Sequence, residues 1–295
     1  MKTVPNHHIY SMSGENQPVL SVSPGETLVF HTHDCFGGQL DTEGACVGEL
    51  DWEHINPAAG PVYVEGAQAG DVLKVDILSI EVADQGKMCA LPGDGVLGRN
   101  VAAEQVKRLP VEAGEVIFNE NIRFPLKKMI GVIGVAPKEG SIPCGTPGDH
   151  GGNMDNTRIA EGASLYLPVF RPGALFALGD VHAAMGDGEI MVSGVEISAA
   201  VTVRLDLIKG YPVQEPMLED EHCCYTISSH ESIETAVYRC TEAMNKVLRD
   251  RLGLTYNDAG MLMSAVGDLK ICQVVDPCRT VSMAMPKTIL PGMFG

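Results

Sequence analysis

The first two hundred residues of this chain are short apolar runs broken by glycine- and proline-bearing turns, which points to strands and away from a helical bundle. Ser23-Pro24-Gly25-Glu26 leads into residues 27–30, and Ala69-Gly70-Asp71 leads into residues 72–80, which alternate as a half-buried strand does. Residues 61–64, 128–136, 163–169 and 174–178 add further strands, the second of these more uniformly apolar. Residues 192–208 close the region, with strong alternation at 200–207. With 33 glycines, 18 prolines, 5% aromatics and 45% hydrophobic residues in 295, the chain can fill one large core or two smaller ones. The expected fold class is mainly β, a β-sandwich or distorted barrel.

After Tyr211-Pro212 the texture changes. Ile233, Ala236, Val237, Cys240, Met244, Val247 and Leu248 form a stripe at helical spacing within residues 232–252, and Gly253 stands where a C-cap is expected. Thr255 is placed to cap a second helix over 257–266, and residues 269–275 return to strand. The expected organisation is therefore a β-rich body, 1–212, and a small α/β subdomain, 213–295, packed on it.

The net charge of −17 argues against nucleic acid or an anionic membrane surface as partner. No apolar run is long enough for a bilayer, and residues 1–8 lack a signal-like apolar stretch, so the expected location is cytoplasmic. Nine cysteines without a C-x-x-C pair, with Cys223 and Cys224 adjacent, argue for free thiols.

Polar chemistry concentrates in two glycine-flanked clusters. In the segment 179–189, Asp180 and His182 are two apart and share a face in extended backbone, while Glu189 follows a flexible turn that can aim it at the same pocket. Carboxylate and imidazole are the side chains that hold metals and move protons. In the segment 148–156, Gly151 and Gly152 offer backbone amides to an oxyanion, and Asn153 and Asp155 share one face; an ordinary solvated turn would carry the same letters. A third segment, His31-Thr32-His33-Asp34-Cys35, places two histidines on one face and Asp34 on the other. Cys35, Cys144 and Cys223 are possible nucleophiles without a local Cys–His signature.

These segments resemble the acetamidase/formamidase family. The resemblance rests on Thr32-His33-Asp34-Cys35 with Gly38-Gln39, Asn56 through Ala67 with Gly70-Asp71-Val72-Leu73, His150-Gly151-Gly152-Asn153-Met154-Asp155, the run from Leu178 to Glu189, Gln273-Val274-Val275-Asp276-Pro277, and Met285-Pro286-Lys287. It covers nearly the whole chain, although typical formamidases are longer. It implies a β-sandwich-like body, hydrolysis of small linear amides, a homo-oligomer, and a divalent metal, zinc or calcium.

Spacing and resemblance together give the expected site. Asp34, Asp155, Asp180 and His182 bind the metal; Glu189 is the general base, with Asp187 and His150 as further catalytic candidates; Gly151, Gly152 and Asn153 bind the substrate. Two alternatives stand beside this metal-dependent amidase: a thiol amidase with a cysteine nucleophile, and a non-catalytic metal-binding β protein.

Overall fold

The computed structural model describes residues 1–294. The alternating runs become the strands Thr27–Thr32, Val72–Val82 and Ala199–Ile208, which are neighbours in a nine-stranded sheet. The more apolar runs become Ala58–Val64, Met129–Gly134 and Phe176–His182, which belong to an eleven-stranded sheet. Both sheets are open, so the body is a sandwich and not a barrel.

The main core lies between them. Leu28, Phe30, Val75 and Ile77 face it from one sheet, and Ile130, Ile133, Phe176 and Leu178 from the other. Phe30 meets Phe176 edge to face at 5.7 Å across the gap. Burying one such side chain stabilises by about 1.5–3 kcal/mol, and the two sheets hold together through many of them.

Residues 192–208, which close the β-rich region, hold two strands. Glu196–Ile197 belongs to the eleven-stranded sheet and Ala199–Ile208 to the nine-stranded one. The chain changes sheets at Ser198, whose carbonyl accepts the Ala83 N–H. That crossing, invisible to a pattern of apolar alternation, places Glu196 beside His182.

The helices form as their caps dictate. Ser232 accepts the Thr235 N–H and opens Ile233–Leu252, which ends at Gly253 in left-handed backbone. Thr255 accepts the Asp258 N–H and opens Tyr256–Val266, one residue before the expected start. Cys240, Met244, Leu248, Met283 and Met285 give this region a core of its own. Its strands nevertheless continue the nine-stranded sheet, since Met217–Glu219 pairs with residues 164–166. The helical region thus has its own apolar cluster while its strands share a sheet with the β body. All nine cysteines are free thiols. No helix among the described residues is long and apolar enough to cross a membrane.

Candidate active site

Strand register assembles the site. His182 lies opposite Met129 on one side and Glu196 on the other, and Asn153 lies opposite Val132. Glycine makes the space at the centre. A Cβ on Gly131 would stand 2.4 Å from Asp155 Oδ1 and 2.7 Å from Asp180 Oδ2, so both carboxylates occupy room that any other residue would fill.

Five groups of opposite tendency meet there. Asp155, Asp180, His182, Glu189 and Glu196 are each 6% exposed or less. His182 Nε2 lies 3.0 Å from Glu196 Oε2, 3.4 Å from Asp180 Oδ1 and 3.8 Å from Asp155 Oδ1. None of these three oxygens makes a hydrogen bond, and His182 Nδ1 makes none either. One imidazole proton cannot serve three acceptors, and buried carboxylate oxygens left unpaired are costly. The cluster has the form of a cation site: ligand atoms of Asp155, His182 and Glu189 lie within 4.8 Å of one another, as do those of Cys35, Asp180 and Glu196. Asp155, Asp180 and Glu189 also hold positive φ values of 41°, 52° and 47°. Such backbone is sparsely populated for residues with a Cβ and collects at functional sites.

The electrostatics follow the crowding. Burial raises the Asp155 and Glu189 carboxyls well above the carboxylate range, helped by the neighbouring acids. Burial lifts Glu196 to about 7. Burial opposes the charge of His182, but Glu196 and Asp180 outweigh it and hold the imidazole well above its ordinary value. Burial likewise works against Asp180, yet His182 keeps that carboxyl below its usual range.

A cavity of about 540 Å³ opens onto this cluster, lined by Asp180, Glu189, Glu196, Asn56, Asn153 and Asp276 among others. Asn56 Nδ2 donates to Asp180 Oδ2 at 3.2 Å and Asn153 Nδ2 to Asp276 Oδ2 at 3.0 Å, while Asn153 Oδ1 is buried without a partner. Asp276, pushed well up by burial and by Asp155 and Asp180, closes the cavity from the C-terminal region.

Several residues expected here lie elsewhere. Asp34 is buried, but Lys87 holds its Oδ2 and the amides of Phe36 and Gly38 hold its Oδ1, so its charge is already matched and it does not join the cluster. Asp187 is half-exposed and binds Thr157 and Arg158. His150 is buried outside the cavity lining, and burial lowers its imidazole to about 4. Gly151 gives its N–H to the Gly148 carbonyl and, with Gly152, pairs along residues 133–134, which makes this segment a strand and not an open anion cradle. His31 and His33 face solvent, the latter ring 4.5 Å from that of His8. Cys35 does line the cavity, but burial and the acids Glu196, Asp180 and Asp34 push its thiol well up, opposite to what a nucleophile needs. Cys144 is pushed up to about 12 by burial.

Glu196 and Asn56 carry no assigned role in the sequence motifs. Glu196 had one local signal, an acid alone between Val195 and Ile197 in an apolar strand. Asn56 and Asp276 stood inside motifs of the family resemblance without an assigned role.

The profile of the acetamidase/formamidase family matches residues 14–142 and 140–291. A solved acetamidase from Bacillus halodurans is 41% identical and superimposes with a TM-score of 0.96, each chain covered in full (100%). A solved protein from Thermoanaerobacter tengcongensis, described as a predicted acetamidase/formamidase, is 47% identical with a TM-score of 0.96, covering 99% of this chain and 97% of its own. The formamidase of Methylophilus methylotrophus is 23% identical over 267 residues, 68% of this chain and 65% of its own. The chain spans between 61% and 65% of the length of the curated relatives it matches.

Proposed function

The chain belongs to the acetamidase/formamidase family, and from that premise we propose that it hydrolyses a carboxamide to a carboxylic acid and ammonia. The observation that carries this is the buried convergence of Asp155, Asp180, His182, Glu189 and Glu196 at a cavity, with carboxylate oxygens that share one imidazole and make no hydrogen bond among the described residues. The donor set fits a divalent cation. Asp155, His182 and Glu189 would hold it, with Asp180 beside them. One imidazole among carboxylates suits zinc, and further oxygen donors would admit calcium. A cation held there would supply Lewis acidity, polarising an amide carbonyl and lowering the pKa of a water.

The protein groups do the rest. Glu196 lines the cavity and takes the proton from the attacking water, then returns it to the leaving nitrogen. This moves Glu189 from general base to ligand. Asn153 Oδ1 accepts an N–H of the substrate amide, and its Nδ2 stays anchored on Asp276. Asn56 holds Asp180 in its strained backbone position. One water and one amide give one acid and one ammonia, with no redox partner required. As the setting of this chemistry we carry forward a cytoplasmic homo-oligomer.

Ammonia release from formamide, acetamide and propionamide, by metal-stripped protein with and without zinc or calcium, tests the proposal. Metal-dependent release is expected. Glu196→Gln should retain the metal and lose roughly 10²–10⁴-fold in kcat, the range for a general base. Absence of ammonia from every amide after metal is restored would overturn it.

A further inference from the structure

The cavity is larger and more selectively walled than the smallest amides require. At about 540 Å³ it lies in the range that holds drug-sized ligands, roughly 300–1,000 Å³, and exceeds acetamide several-fold. One wall is a separate apolar cluster in which Phe36, Cys89 and Leu91 pack with Leu40, Val47 and Leu50, and Val192 lies against it. Trp52, the chain's single tryptophan, lines the cavity and is 53% exposed. It sits on a one-turn segment, Trp52–His54, which Asp51 opens by accepting the Glu53 N–H. The segment is braced by Tyr10, whose ring meets that of His54 edge-on at 4.6 Å. A half-exposed indole at a pocket wall is a stacking platform.

Charge narrows the occupant further. Glu53, Asp180, Glu189, Glu196 and Asp276 line the cavity, and among the described residues no lysine or arginine does. Away from the cation, a carboxylate on the substrate would find acidic side chains and no basic one on the walls.

We infer that this site takes amides whose acyl portion carries an aromatic or similarly flat apolar group and no negative charge, with Trp52 as the stacking residue that sets the preference. The inference rests on the amide-hydrolase proposal for the chemistry, but the binding preference stands apart from turnover and is measured separately.

The test compares acetamide, 2-phenylacetamide and the para-carboxylate of 2-phenylacetamide on the full, metal-loaded protein. Binding is read from the emission of Trp52 and, for variants, by calorimetry; turnover is read as ammonia. Phenylacetamide should bind at least tenfold tighter than acetamide and show at least a tenfold higher kcat/KM, and the carboxylate should lose at least tenfold in both. Trp52→Ala should cut the phenylacetamide-to-acetamide ratio at least fivefold, and Trp52→Phe should restore most of it. Equal or stronger binding of acetamide, a carboxylate that binds as well as its parent, or a ratio that survives Trp52→Ala would each overturn the inference. Tight, Trp52-dependent binding of phenylacetamide with no ammonia from any amide would instead retire the hydrolase proposal and keep the pocket preference. Ammonia from acetamide with no preference for the ring would do the reverse.

Discussion

Two groups of buried carboxylates lie close in this fold and are treated in opposite ways. Asp34 has a lysine and two backbone amides on it, so its charge is matched within the chain. Asp155, Asp180 and Glu196 have oxygens with no hydrogen bond and share a single imidazole. A buried carboxylate that is fully paired holds structure together; one left open keeps coordination capacity for something the chain does not supply. Both groups carry the same letters in sequence, and only their neighbours separate them.

Breaking the open group should cost function most. Gly131→Ala puts a methyl where Asp155 and Asp180 now sit, closer than real Cβ contacts come. Metal content measured by mass spectrometry should fall at least tenfold, with amidase activity lost in proportion; normal metal content would show that the two oxygens are not ligands. Breaking the paired group should cost stability instead. Lys87→Met strands Asp34 and should destabilise by about 3–5 kcal/mol, the usual penalty for one orphaned member of a buried pair. Denaturant unfolding measures this, and metal stoichiometry per folded molecule should stay unchanged.

His150 sharpens the contrast from a third position, buried and uncharged. Its folded value, about 4, lies below the unfolded one. The folded state therefore resists a proton that the unfolded state accepts, and stability present above pH 6.5 is lost as pH falls toward 4. A shift of this size corresponds to about 3 kcal/mol. Replacing His150 with Gln should flatten that acid limb in melting temperature against pH; an unchanged limb would assign it to other groups. The smallest effect belongs to Asp187, half-exposed on Arg158. Asp187→Asn should cost under about 1 kcal/mol, as surface pairs do, and change kcat by less than threefold in the ammonia assay.

What could be read in advance follows from range. The strands, both helices and their caps are local properties, and Ser232, Gly253 and Thr255 do in the structure what their chemistry allows. Asp180, His182, Asp155 and Glu189 follow from short spacings combined with the family resemblance, and the structure brings all four together. Asp34 shared their composition and their motif company, but its partner Lys87 stands 53 positions away. Glu196 was hidden for the reverse reason: it enters only because the chain changes sheets at Ser198 and pairs with His182. Asp276 arrives from the far end, through the helical region. Long-range pairing decides which acids are satisfied, and no local pattern records it.

The loop that carries Glu189 is tied to the strand Asp268–Gln273, where the Gly188 N–H donates to the Cys272 carbonyl at 2.7 Å. Four residues on from that carbonyl comes Asp276, which with Pro277 completes the wall of the cavity. The β body therefore holds an incomplete pocket of its own, because both the clasp on the Glu189 loop and the acid Asp276 come from residues beyond the two helices. A ligand that seats Glu189 would also tighten the strand Asp268–Gln273, so occupancy of the pocket and local stability of that strand are linked.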